Sequence, residues 1–297
     1  MESLVSLVIV NWNRKNELKE CLESIKNQTY KLIEVIIVDN LSTDGSIEMV
    51  REVYPEVNLI VMPDSSYGAC ETFNIGFSNA KGEYTGILDD DITLPNDWVE
   101  KIINKFKSEP ISTAIISTKV IEPGMPDDYL NSKEYNREKY YSTFVGCGSM
   151  ARSALIKEAG YYDKKLFIHV NERDLALRLL KKGYRILHYP SVCTYHKKPF
   201  GIHLGNRSLY YHLRNYIWVL FKHYCFMDIM RFFMVGIGVK RMNKGNSNQI
   251  LGVIGLKESI FQNKGGISTA CKALFDAMTG LPYCFRNRSV YVAEEFL

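Results

Sequence analysis

Three consecutive carboxylates, Asp89-Asp90-Asp91, follow the apolar run Gly86-Ile87-Leu88. Side by side they repel one another, and their unpaired charges cost stability unless a cation lies among them. Oxygen ligands at a strand end suit Mg2+ or Mn2+, which keep water and phosphate oxygens as further ligands and so commonly hold a diphosphate. An acidic turn open to solvent accounts for the same residues without an ion. Glu172 and Asp174 stand just before Leu175-Ala176-Leu177-Arg178, where a helix dipole favours carboxylates. At a strand-to-helix junction such a carboxylate could instead take a proton from a hydroxyl nucleophile. His196, ahead of Lys197-Lys198, suits metal ligation, a phosphate contact or an ordinary surface position.

These groups need a scaffold, and the hydrophobic periodicity supplies one. A β-branched run at 5–10 is followed by Leu18, Cys21, Leu22 and Ile25 at helical spacing within 15–28. Strands at 35–38, 59–62 and 84–88 then alternate with helices at 46–53 and about 72–80. Four βα units in succession imply a mostly parallel sheet with helices on both faces. The ligand crevice of such a sheet lies beyond the carboxyl ends of its strands. There the sequence places Asn11-Trp12-Asn13, Asp39-Asn40, Asp64-Ser65 and the three aspartates, as a set expected to converge on one rim. Taken singly, each is also a good turn former or cap. Further on, the pattern predicts helices at 96–107, 153–159 and 174–182, and strands at 114–120, 143–145, 166–170 and 191–195. Residues 122–141 read as a long polar loop able to act as a lid.

The 297 residues are 46% hydrophobic and 24% charged, which excludes a disordered or low-complexity chain. Seven scattered cysteines without a Cys-x-x-Cys pair indicate neither a zinc ribbon nor a disulfide framework, and fit a reducing, cytoplasmic setting. Met1-Glu2-Ser3 runs straight into an apolar stretch with no basic n-region and no small-residue cleavage site, so no signal peptide is expected. The net charge of +4 is unevenly spread: residues 197–297 hold 14 Lys and Arg against 5 Asp and Glu, leaving −5 for residues 1–196. The basic part is interleaved with large apolar groups such as Leu209, Trp218, Phe221, Phe226 and Phe233. An anionic membrane surface suits that mixture, and nucleic acid does not. Helices docked on a core with their charges in solvent would show the same composition. Residues 208–239 are the segment whose insertion into lipid is open, since Arg214, Lys222, Asp228 and Arg231 interrupt it.

The stretches 5–14, 38–46 and 88–91, with Gly146-Cys147-Gly148-Ser149-Met150, Gly160-Tyr161-Tyr162-Asp163, 172–178 and His196, together resemble the inverting family 2 glycosyltransferases of the GT-A fold. The resemblance covers about the first two-thirds of the chain. It implies a GT-A nucleotide-sugar-binding and catalytic domain over residues 1–200, with a basic, aromatic-rich helical region over 201–297. Val10, Asn11 and Asn13 would line the nucleotide pocket, and Asp39 would accept a pyrimidine imide N–H, pointing to a UDP- or dTDP-sugar. Gly68 and Asn74 match the segment beside the donor sugar and diphosphate. Asp89 and Asp91 match the aspartate-x-aspartate motif for ribose and metal, with Asp90 between them on the donor side and His196 as an additional metal or diphosphate contact. The family usually places Glu-Asp, with aspartate as base, where this chain has Asn171-Glu172. Glu172 would then be the base, and Asp174 would orient the acceptor or cap the helix. The last third more loosely resembles bacterial rhamnosyltransferase-like members. That implies a rhamnosyl or other hexosyl donor, a glycan or polyprenyl-linked acceptor, and a peripheral position on the inner face of the cell membrane.

Two other readings compete. Residues 146–151 fit G-x-G-x-x-A with Glu172 beyond, as a dinucleotide-binding fingerprint of an NAD-dependent oxidoreductase would require. A catalytically silent membrane-binding partner that kept the fold would also tolerate the Asn171-Glu172 departure. A haloacid-type phosphatase fails, since Leu41 stands where its second aspartate belongs.

Overall fold

The computed structural model describes residues 2–199, 205–230 and 256–290. The first strand, β1 (Val5–Asn11), is β-branched and almost wholly buried. Its side chains alternate, so Val5, Leu7 and Ile9 enter one core layer while Val8 faces the other side of the sheet. Helix α1 (Lys15–Lys26) buries Leu18, Cys21, Leu22 and Ile25 in that layer. Burial of an aliphatic side chain of this size contributes roughly 1.5–3 kcal/mol. The alternation continues through β2 (Ile33–Asp39), α2 (Ser46–Val53), β3 (Asn58–Val61), α3 (Ala69–Asn79) and β4 (Tyr84–Asp89). On the opposite face, α3 lies against β1 and β2, and only a glycine at position 76 lets it approach Val8 so closely.

A two-residue strand β5 (Ile92–Thr93) precedes α4 (Trp98–Ser108), whose buried Trp98, Val99, Ile102, Ile103 and Phe106 join the α1 layer. Then come β6 (Thr113–Ile121), α5 (Asp127–Leu130), β7 (Lys139–Tyr140), β8 (Ser149–Arg152), α6 (Ser153–Glu158), α7 (Asn171–Lys181) and β9 (Arg185–His196). The sheet runs β3-β2-β1-β4-β8-β6-β9-β5, with β7 on β9. It is mostly parallel; β8, β5 and β7 run against the rest. The chain order turns back between β1 and β4, so the carboxyl ends of these two strands open the crevice expected of such a switch point.

Several elements differ from the sequence pattern. Residues 143–145 are irregular, and the strand forms four residues later at Ser149–Arg152, where pairing with β4 and β6 compensates for the absence of β-branched residues. Residues 166–170 are not a strand: Phe167, His169 and Val170 have φ of 69°, 68° and 63°, which breaks any extended run. The following helix begins at Asn171 rather than at 174, placing Glu172 in its first turn. The loop at 122–141 contains α5 and β7. Residues 146–148 form a single 3-10 turn that leads into a strand, not a helix. The dinucleotide fingerprint requires a helix N-terminus there, so the oxidoreductase reading loses its physical basis.

The chain divides into two compact units, 1–200 and 201–297. In the second, α8 (Asn206–His223), α9 (Leu256–Gln262), α10 (Gly266–Thr279) and α11 (Leu281–Arg286) pack together. Ala270, Ala273 and Ala277 give α10 a small, buried face, and Trp218 of α8 donates its indole N–H to Ala277 O at 3.1 Å. Arg214 stacks over the Trp218 ring, 4.4 Å from its centre. Among the described residues no helix is long and apolar enough to cross a membrane. Residues 231–239 of the segment considered for lipid insertion lie outside the described residues.

Candidate active site

The carboxyl ends of β1, β2 and β4 lie side by side, with Asn11 opposite Asp39 and Val10 opposite Asp89 in register. Asp39 is buried, and its carboxylate accepts from Asn11 Nδ2 at 2.5 Å, Ser42 N at 2.7 Å and Ser42 Oγ at 2.9 Å. Asn13, in a left-handed conformation, donates its backbone N–H to Ser42 Oγ and accepts from Thr43 N, tying the two strand ends together. Asn11 Oδ1 is left buried with no partner. A buried acceptor without a donor is costly, and this one sits beside Asp39 where a donor N–H would satisfy it. Asp64 does not join this rim: it is exposed, and its carboxylate caps Ser66 N at 2.8 Å.

The three aspartates lie at and just beyond the end of β4. Asp90 and Asp91 are buried, while Asp89 remains partly open. Arg14 pairs with Asp91 and lies 3.7 Å from Asp90 Oδ1. His196, at the end of β9, faces Asp91 Oδ1 through Nε2 at 3.0 Å and Glu122 Oε1 through Nδ1 at 2.8 Å. Burial pushes Asp89 up to about 6, with repulsion from Asp91 adding to it. Burial pushes Asp90 up to about 8 despite Arg14. Burial opposes charge on His196 too, but its hydrogen bonds to Asp91 and Glu122 prevail and raise it to about 9. Asp91 is held below the usual carboxylate range against burial, chiefly by its hydrogen bond with His196.

Positive charge is therefore short at this cluster, and for want of it two carboxyls are raised, Asp90 far enough to favour its protonated form at neutrality. Carboxylate oxygens and an imidazole nitrogen, with Glu122 fixing the imidazole from behind, are a donor set that fits Mg2+ or Mn2+. Arg14 and Glu122 were not among the sequence candidates. Arg14 stands directly after Asn11-Trp12-Asn13, which was the available signal, whereas Glu122 reaches the site only because β6 lies beside β9.

Glu172 lies in the first turn of α7, and the Gly146-Cys147 turn runs along its carboxylate. Desolvation raises Glu172 to about 7, and the charge of Asp89 adds to that effect. Asp174, two residues on, is fully buried and ion-paired to Arg178 Nε at 2.9 Å. Arg178 also donates to the carbonyls of Ala159 and Tyr161, so this pair staples the turn after α6. Gly68 and Asn74 meet the segment leading into α7. A Cβ on Gly68 would be 2.5 Å from Phe167 O, and Asn74 exchanges hydrogen bonds of 2.8 and 2.9 Å with the backbone of Tyr162.

A Rossmann-like sheet with an acidic cluster at its switch point and further helices after it defines the GT-A class of fold. The mannosyltransferase PcManGT from Pyrobaculum calidifontis, solved with GDP-Man and Mn2+, superposes with a TM-score of 0.59 over 94% of this chain and 76% of its own, at 19% identity. Residues 6–158 match the Glycosyl transferase family 2 model, and the chain belongs to that family. Glycosyltransferase GlyG of Streptococcus pneumoniae serotype 4 is 33% identical over 117 residues, and the match spans only 39% of the length of either protein. The Escherichia coli UDP-Glc:alpha-D-GlcNAc-diphosphoundecaprenol beta-1,3-glucosyltransferase WfaP is 26% identical over 211 residues, covering 69% of this chain and 80% of that one. The family match ends before Glu172, Asp174 and His196.

Proposed function

We propose that the protein transfers a hexosyl group, such as rhamnose, from a UDP- or dTDP-sugar to a hydroxyl of a glycan or polyprenyl-linked saccharide, with inversion at the anomeric carbon. The observation that carries this is the cation-poor cluster of Asp89, Asp90, Asp91 and His196 at the switch point, close enough to Glu172 for Asp89 to raise its pKa. Val10, Asn11, Asn13 and Asp39 form the base end of the donor site. The unpartnered Asn11 Oδ1 and the Asp39 carboxylate are acceptors that suit a base presenting an N–H, as uracil and thymine do at N3. Asp89, Asp91 and His196 would hold Mg2+ or Mn2+, which when bound neutralises charge on the diphosphate leaving group.

Glu172 takes the proton of the acceptor hydroxyl as the acceptor oxygen bonds to the anomeric carbon and the bond to the nucleotide oxygen breaks on the opposite side. A pKa near 7 suits that task, since about half of the group is ionised at neutral pH and the carboxylate is basic enough to accept a proton. Gly68 and Asn74 serve the donor side by holding the segment that leads to Glu172, and Asp174 positions α7 through Arg178.

A membrane-surface acceptor is supported by the apolar stripe Ile267, Leu274, Phe275 and Met278 that α10 exposes, with Lys264 and Lys272 nearby in sequence. The polyprenyl diphosphate in the name of WfaP supports the same reading.

The test is thermal unfolding with dTDP, UDP, GDP and NAD, each with and without Mn2+, since a ligand that binds only the folded chain raises its stability. Stabilisation by UDP or dTDP that grows with metal is expected, together with donor turnover that Glu172→Gln removes while nucleotide binding persists. Stabilisation by NAD alone, or undiminished turnover in Glu172→Gln, overturns the reading.

A further inference from the structure

Cys147 has no part in the transfer described above, yet the fold takes trouble to place it. It lies between two glycines whose missing Cβ positions are each taken up by a neighbouring side chain. A Cβ at Gly146 would stand 2.5 Å from Glu172 Oε1, and one at Gly148 would stand 2.5 Å from Thr194 Oγ1. The turn is thereby wedged between the first turn of α7 and the last residues of β9. The thiol is buried and free of any disulfide. It lies with one carboxylate oxygen of Asp89 and one ring nitrogen of His196 in a group whose atoms are all within 4.8 Å of one another.

Sulfur, nitrogen and oxygen donors grouped in this way are what Zn2+ takes, at about 2.3 Å for sulfur and about 2.0–2.2 Å for nitrogen and oxygen. Tetrahedral ligands at those lengths stand about 3.3–3.8 Å apart, so displacements on the order of 1 Å close the site. The imidazole is held from behind by Glu122 on Nδ1 at 2.8 Å, and Nε2, 3.0 Å from Asp91 Oδ1, exchanges that contact for the ion. Mn2+ and Mg2+ favour oxygen ligands and gain little from a thiol, so the sulfur gives this position a preference of its own.

We propose that Cys147, His196 and Asp89 form a thiolate site for Zn2+ and similar thiophilic divalent ions, and that occupancy there excludes the Mg2+ or Mn2+ used in transfer. Binding converts the thiol to a metal-bound thiolate and frees Nε2 of His196 to ligate, releasing the proton of each to solvent. The exclusion rests on the reading of Asp89 and His196 as holders of the transfer ion, whereas the binding does not.

Co2+ and Cd2+ serve as probes with the full-length chain, without nucleotide, because a thiolate ligand gives each a charge-transfer absorption. One equivalent of Co2+ should develop that band, and Zn2+ should displace it. Cys147→Ser should remove the band and weaken Zn2+ binding at least tenfold. His196→Gln should keep a band but weaken Zn2+ binding similarly, which preserves the test if the serine variant folds poorly. No band in the unaltered chain, or an undiminished band in Cys147→Ser, overturns the proposal. The second result would move the ion to another cysteine. Zn2+ inhibition of Mn2+-supported donor turnover, relieved by excess Mn2+, tests exclusion separately. A chain that binds Co2+ through Cys147 but turns over no donor would refute the transferase reading and leave the metal site standing.

Discussion

Replacing Gly146 by alanine tests the position of Glu172 without touching it. The added Cβ would lie 2.5 Å from Glu172 Oε1, where ordinary contact begins at 3.4 Å, so the carboxylate must retreat by about 0.9 Å. The clash falls on the far end of a flexible side chain, so the cost in folding is small, within about 0.5 kcal/mol. The cost in catalysis is not small. Misplacing a reacting group by about 1 Å can lower the rate by about 100-fold, and general base catalysis contributes about 100- to 10,000-fold in all. The expected result is kcat lowered about 100-fold, with the melting temperature and the Mn2+-dependent affinity for UDP or dTDP unchanged. Single-turnover transfer or donor hydrolysis measures the first, and thermal unfolding with nucleotide measures the others. Gly148→Ala is the contrasting case, because its Cβ would meet Thr194 at 2.5, 2.8 and 2.9 Å. Thr194 is fixed by Trp98 Nε1 at 3.0 Å and Thr118 Oγ1 at 2.7 Å, so overpacking there should cost about 1–3 kcal/mol of stability. A Gly146→Ala protein that keeps kcat within threefold would refute the placement of Glu172 as base.

With Glu172 raised to about 7 and active only when ionised, kcat should rise about tenfold per pH unit below that point and level off above it; a flat profile between about pH 5 and 8 would remove Glu172 from the role. Arg178→Ala leaves the Asp174 carboxylate buried without its guanidinium and should cost about 3 kcal/mol in urea unfolding, whereas a change below about 1 kcal/mol would mean that the pair does not staple the turn. Arg14→Met removes a half-exposed partner of Asp90 and Asp91, so the loss in chelator should be about 1 kcal/mol and Mn2+ should stabilise the variant more than the unaltered chain. Equal Mn2+ stabilisation of the two proteins would count against an ion among these carboxylates.

The first four βα units are legible because β-branched runs and helical periodicity are local, and each strand is crossed back by the helix that follows it. Asp39 and Asp89 could be read onto the rim for the same reason, since they end strands that pair with β1. The insertion of β8 between β4 and β6 could not be read that way. Ser149-Met150-Ala151-Arg152 has little strand propensity, and its partners on β4 are 62–68 residues away, from Ile87 with Ser149 to Tyr84 with Arg152. The segment before α7 misleads in the other direction, for Leu166-Phe167-Ile168-His169-Val170 has the composition of a strand but three left-handed residues. Such residues cost roughly 1–2 kcal/mol each and are held only by their surroundings. The pairing of His196 with Glu122, and the wedging of Cys147, depend on distant elements meeting and leave no mark in local sequence.

Strand β9 keeps step with β6 from Ile186 opposite Ile115 to Tyr189 opposite Thr118, and resumes with Cys193 opposite Lys119. Three residues beginning with Pro190, which has no N–H to give the ladder, are thrown out between those pairs. Beyond them Thr194 and His196 are buried while Tyr195 is exposed. The site end of β9 thus has its phase set after the irregularity and not by the core-bound half of the strand. Parity governs what this stretch can tolerate. Gaining or losing two residues in the expelled segment returns Thr194 and His196 to the same side, whereas gaining or losing one turns both away and presents Tyr195 to the aspartates instead.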